Sequence, residues 1–242
     1  MEKDIFIEEK SRFCHINSTI EWDYEKDFLL ALCNVDSGYY MYSVENSNKT
    51  KDKVYPERIF AYEFYHQYRK RMDQRRDFYE GKYLNGEQKK NRHVENYIGD
   101  YTPDLILHKK LDGMPPESQL WLCEIKMVES HDPLSDIEKF KKMDKLSFND
   151  YVFLYAGSCL PNLLLRLYKK IKNGKISKES DGNCICICSY YSKTSKLYIE
   201  CHRLYTLIDM IEEMDMESLR KQISRIKQIS DFEVISEIEY TE

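Results

Sequence analysis

Two hydrophobic rhythms run along the chain, one returning every three or four residues and one packed into short unbroken runs. The longest stretch of the first kind follows Pro56. Across ERIFAYEFYHQYRKRMDQ, at about 100° per residue, Phe60, Ala61, Phe64, Tyr65, Tyr68 and Met72 share one broad apolar arc. Glu63, His66, Gln67 and Lys70 share the polar side. Proline suits a first helical position and no breaker follows, so a helix is predicted from Pro56. The second rhythm appears in PDLILH (103–108) and QLWLCEIKM (119–127), two strand candidates separated by LDGMPPES, whose glycine and prolines suit a hairpin connection. They are expected to lie side by side and antiparallel. Before them, KYLNGEQKK reads as a short strand turning at Asn85-Gly86.

After them comes PLSDIEKFKKMDKL (133–146), with Ile137, Phe140 and Met143 at helical spacing, and then YVFLYA (151–156), which reads as a buried strand. A helix over 161–172, strands over 184–190 and 196–201 and a helical tail over 204–229 complete the pattern. Nearer the start, a helix is expected around 19–33, followed by an aromatic stretch at 38–42 and a polar loop at 45–53. These first fifty residues suggest no chemistry. No internal repeat is visible. The expected organisation is an N-terminal extension (1–55) packed on a core (56–157), with strands and helices of 158–242 completing the same domain.

At 242 residues with 42% hydrophobic content, the chain can bury one large core. No apolar run is long enough to span a bilayer and MEKDIFIEEK lacks a signal-peptide core, so a cytoplasmic protein without membrane association is expected. Its eight cysteines then read as reduced structural thiols. Cys184, Cys186 and Cys188 in CICIC point to one strand face and cannot enclose a tetrahedral ion without bending the strand. They are read as packing. The sequence has no G-x-x-x-x-G-K-[ST] phosphate loop and no G-x-S-x-G elbow, so nucleotide-driven motors and common hydrolases lack support.

The chemistry concentrates on 119–127. Alternation along a strand sends Glu124 and Lys126 to one face, and burying such charges is costly without a partner or a function. Asp104 opens the preceding strand, so a hairpin would bring two carboxylates beside one lysine. Hard oxygen ligands of this kind suit Mg²⁺ or Mn²⁺, which keep several waters and accept phosphate oxygens. The alternative is ordinary solvation of a surface aspartate and a Glu–Lys pair.

Pro103-Asp104 together with Glu124-Ile125-Lys126, 20 positions apart on consecutive strands, resembles the motif of the PD-(D/E)-x-K nuclease superfamily, also called restriction-endonuclease-like. The resemblance covers roughly two fifths of the chain. It implies an α/β fold (an α+β mixed sheet) with core order helix, strand, strand, strand, helix, strand. It also implies metal-dependent phosphodiester hydrolysis, with Asp104 and Glu124 as metal ligands and Lys126 orienting or deprotonating water. The leading helix of the superfamily often contributes a glutamate, and Glu63 is the position carried across, as a further ligand. His66 and Gln67, one turn on, are candidates to position substrate. Lys139 and Asp136 are candidates for phosphate or supporting contacts and Glu87 for approach to the metal, although a solvated charged face explains them equally well.

The net charge of −5 gives no overall pull toward polyanions, so nucleic-acid contact must come from local patches. Basic residues run from Arg166 to Lys178, including Lys169 and Lys170, with no acid between them, and nine basic residues face four acids from Arg69 to Arg92. The expected partner is nucleic acid, DNA ahead of RNA. A homodimer would supply two centres for double-strand cleavage. The rival expectation is a catalytically silent nuclease-fold module that binds or scaffolds without turnover, its acidic tail serving protein contacts.

Overall fold

The structure is a computed structural model that describes residues 3–9, 12–40, 42–45, 51–54, 56–86, 102–109, 118–127, 134–135, 137, 140, 148–176, 183–191, 196–213, 215, 217–218 and 220–221. In chain order the elements are β1 (Lys3–Glu9), β2 (Arg12–Ser18), α1 (Glu25–Cys33), α2 (Ser37–Tyr40), β3 (Tyr42–Glu45), β4 (Lys51–Val54), α3 (Glu57–Gln74), α4 (Arg76–Tyr79) and β5 (Lys82–Gly86). They continue with β6 (Leu105–Lys109), β7 (Gln119–Met127), β8 (Asp150–Ala156), α5 (Leu160–Lys172), β9 (Cys184–Tyr191), β10 (Leu197–Arg203) and α6 (Leu204–Glu212). This is a mixed α/β architecture. Eight strands form one sheet in the order β1-β2-β10-β9-β8-β7-β6-β5, and β3 and β4 pair separately.

The sheet is mixed because its connections differ. Strands β5, β6 and β7 form an antiparallel meander. Strand β8 then returns parallel to β7, and β9 parallel to β8, which requires crossovers rather than hairpins. The helix expected over 133–146 lies mostly outside the described residues; of those described there, Leu134, Ile137 and Phe140 are buried. Strand β10 is antiparallel to β9, and β2 joins β10 in parallel, so the N-terminal segment is part of the sheet.

Alternating side chains divide the core into two layers. One layer gathers Cys123 and Ile125 of β7, Val152 and Leu154 of β8, and Ile185 and Ile187 of β9 under α1 and α3. The other gathers Leu122, Phe153, Tyr155, Cys184, Cys186 and Cys188 under α5 and α6. All eight cysteines are free and buried. The CICIC thiols therefore pack on one face as their alternation suggested. The face of α3 made by Phe60, Phe64, Tyr68 and Met72 is buried, with Phe64 against Phe28 of α1 at 4.7 Å and Tyr68 against Trp121 at 5.4 Å between ring centroids.

Some boundaries move from those the sequence suggests. The first helix starts at Glu25 rather than near Thr19, because the Thr19 N–H donates to the Cys201 carbonyl at 3.1 Å and holds that segment along β10. Strand β6 starts at Leu105, two residues after Pro103, which has no N–H to offer the ladder. The helix after β10 ends at Glu212, and 222–242 lie outside the described residues.

Candidate active site

Strand β7 extends past the beginning of β6, and this mismatch builds the site. Leu105, the first residue of β6, pairs with Cys123, so the later amides on that edge of β7 have no β6 backbone opposite. Carboxylates take over. The Ile125 N–H donates to Asp104 Oδ2 at 2.7 Å, and two residues on the Met127 N–H donates to Glu57 Oε2 at 3.3 Å. Because N–H groups two residues apart point to the same side of a strand, the two acids are held along one edge. The other oxygen of Glu57 accepts from Lys126 Nζ at 3.1 Å. Asp104, Glu57 and Lys126 are therefore tied to one short stretch of strand.

Glu124 directly precedes these anchored positions and is 4% exposed. By register it stands beside Phe153 of β8, and Lys126 beside Tyr155. Cys123, its chain neighbour, has its thiol pushed well above the ordinary value, first by burial and then by the charges of Asp104 and Glu124. The fields of both acids reach the same sulfur.

A cleft of about 440 Å³ opens on this edge, lined by Glu57, Arg58, Ala61, Tyr62, Tyr65, Gly86, Asp104 and Leu105. The first two turns of α3 form one wall and the ends of β5 and β6 the other. The Tyr65 hydroxyl donates to the Leu84 carbonyl at 3.3 Å and fixes one wall to the other.

Asp104, Glu124 and Lys126 lie close along β7, but of the three only Asp104 lines the cleft, and the leading-helix glutamate that lines it is Glu57 rather than Glu63. Glu57 meets Lys126. Glu63 is six residues further along, roughly 170° around the helix from the centre of the cleft-lining arc, and accepts from Gln67 Nε2 at 2.5 Å. His66 is exposed, and none of His66, Gln67, Lys169 or Lys170 lines the cleft. Lys139, Asp136 and Glu87 lie outside the described residues. Glu57 was missed because the polar arc of the helix drew attention to Glu63. A first-turn carboxylate directly after a helix-starting proline was the available signal, since it projects beyond the helix end toward neighbouring strands.

Among the described residues no group of three or more His, Cys, Asp or Glu side chains is placed to hold a metal ion. Mg²⁺ does not require such a cage, since one or two carboxylates with waters and substrate phosphate suffice. Asp104 and Glu57 both line the one cleft. Searches against family models, curated proteins and solved structures find no match for this chain. No helix among the described residues is long and apolar enough to cross a membrane.

Proposed function

We propose that the chain is a divalent-metal-dependent nuclease that hydrolyses phosphodiester bonds, DNA ahead of RNA, with Asp104, Glu124, Lys126 and Glu57 as its active centre. The observation that carries this reading is the shared edge of β7, where Asp104 and Glu57 accept alternate amides and Lys126 bonds to Glu57. The order α3, β5-β6-β7 meander, β8 supports this reading, and the crossover helix of the core that the motif implies lies mostly outside the described residues.

In this reading Asp104 and Glu57 would hold a Mg²⁺ or Mn²⁺ ion, with Glu124 available at the same strand. Such an ion, when bound, polarises the phosphodiester and lowers the pKa of water. Lys126, steadied by Glu57, orients the attacking water and offsets negative charge on the phosphorus centre as the bond to the leaving oxygen breaks. Glu124 is nearly fully buried, and a charge there interacts more strongly than one in water. A second reading, a nuclease-fold binding module without turnover, draws on the Lys126–Glu57 ion pair, which engages the amine with a carboxylate.

Incubation with plasmid, linear duplex and single-stranded DNA in Mg²⁺ or Mn²⁺ distinguishes the two. Cleavage is expected with metal and not with EDTA, and Lys126→Ala or Asp104→Asn should lower it by about 10²–10⁴-fold. Cleavage unchanged in both variants would remove the mechanism, and binding without cleavage would favour the module.

A further inference from the structure

The mouth of the cleft has a composition that the catalytic reading does not use. Tyr62 is 57% exposed, the most exposed of the large hydrophobic side chains described, and it lines the mouth of the cleft. Arg58, also exposed, is one turn before it on α3, so the two side chains are neighbours on the helix surface. Between them and the acids the wall is Ala61, whose methyl group leaves depth in the cleft, and Gly86 opposite adds only backbone. A flat aromatic face and a guanidinium thus stand beside two carboxylates in one opening.

We infer that this cleft takes a single unpaired nucleotide of a single-stranded or splayed strand, with Tyr62 stacking on its base and Arg58 pairing with an adjacent phosphate. The inference rests on the nuclease reading for the class of ligand. Three observations narrow it to single strands. A volume of about 440 Å³ lies near the lower end of the ~300–1,000 Å³ typical of ligand pockets, room for one nucleotide unit and not for a duplex. A base inside a duplex has both faces covered by its neighbours, so a tyrosine ring can stack only on one that is unpaired. A planar guanidinium reads phosphate oxygens in pairs, and placing it one helical turn from the ring separates phosphate and base contacts along the strand.

The test is fluorescence anisotropy of the full chain with a labelled single-stranded 12-mer and with the same sequence as a hairpin duplex, in Ca²⁺ with probe integrity checked on a gel. The single strand should bind tighter. Tyr62→Ala should weaken its binding about 5- to 150-fold, the equivalent of one stacked base, while Tyr62→Phe stays within about twofold. Arg58→Ala should weaken binding and lower the salt slope by about 0.7, the release expected for one phosphate of a single strand. Equal loss in the alanine and phenylalanine variants, no loss in either, or tighter binding of the duplex independent of Tyr62 would overturn the inference. Cleavage in Mg²⁺ is read separately. Tyr62-dependent binding without cleavage would keep the occupant and reject the nuclease reading, and cleavage without Tyr62 dependence would do the reverse.

Discussion

Glu57 and Glu63 are both leading-helix glutamates, and their different neighbours predict opposite phenotypes. Glu57→Gln removes the charge that steadies Lys126 and should lower cleavage by about 10²-fold or more, whereas Glu63→Gln should stay within about threefold of wild type. Parallel initial-rate assays of the two variants check this, and equal losses would restore Glu63 to the site. Strand alternation pairs Glu124 with Lys126 in the sequence, and the hairpin expectation sets Asp104 beside them. The sequence could not choose between Glu57 and Glu63, because periodicity gives the spacing of residues around a helix but not the rotation of that helix against a distant strand. His202 gives a second residue-level prediction. Burial lowers its pKa from 6.5 to about 4, and its Nδ1 lies 3.2 Å from Thr19 Oγ1. The unfolded chain takes up this proton as pH falls below 6.5, and the folded chain only near 4. Stability present at pH 7 is therefore lost on acidification, by about 2 kcal/mol between pH 7 and pH 5. Urea titrations at the two pH values should show this difference in wild type and not in His202→Phe.

Among elements, the joint between α1 and α3 depends on one buried acid. Asp27 is fully buried in α1, bonds Arg75 at 2.5 Å and the Tyr79 hydroxyl at 2.8 Å, and lies 3.7 Å from Arg71 Nε. The Tyr79 hydroxyl also lies 2.9 Å from that of Tyr68, so one carboxylate ties α1, α3 and α4 together. Removing the carboxylate leaves two half-buried guanidinium groups and the buried Tyr79 hydroxyl without their acceptor, and Asp27→Ala should cost roughly 1–3 kcal/mol in denaturant melts. A cost below about 1 kcal/mol would mean that solvent already screens the network. Nothing in the sequence announced Asp27, since an acid in the first turn of a helix looks the same whether its partners come from 44 or 48 residues away or from water. Strand β7, by contrast, was legible to the residue. Its mostly apolar run QLWLCEIKM follows Pro115-Pro116, and short apolar stretches of this kind mark buried strands.

On the scale of the whole molecule, the N-terminal segment closes the sheet. Expected as an extension packed on the core, it supplies β2, which pairs with β10 from Cys14 to Ser18 and places Cys14 and Ile16 in the same apolar layer as β7. Pairing between residues about 183 positions apart follows from which edge is left open after folding, and local pattern does not record that. Deleting residues 1–18 should expose the edge of β10 with its apolar face and produce aggregation on size-exclusion chromatography, where a dispensable appendage would leave a monodisperse peak.

The open edge of β7 also gives the molecule two built-in reporters. Because the Ile125 and Met127 amides are protected by carboxylates rather than by a partner strand, anything that draws those carboxylates away should quicken exchange of these two protons with deuterium. Site-resolved exchange, followed while Mg²⁺ or an oligonucleotide is added, would then register occupancy of the cleft in a protein that turns nothing over.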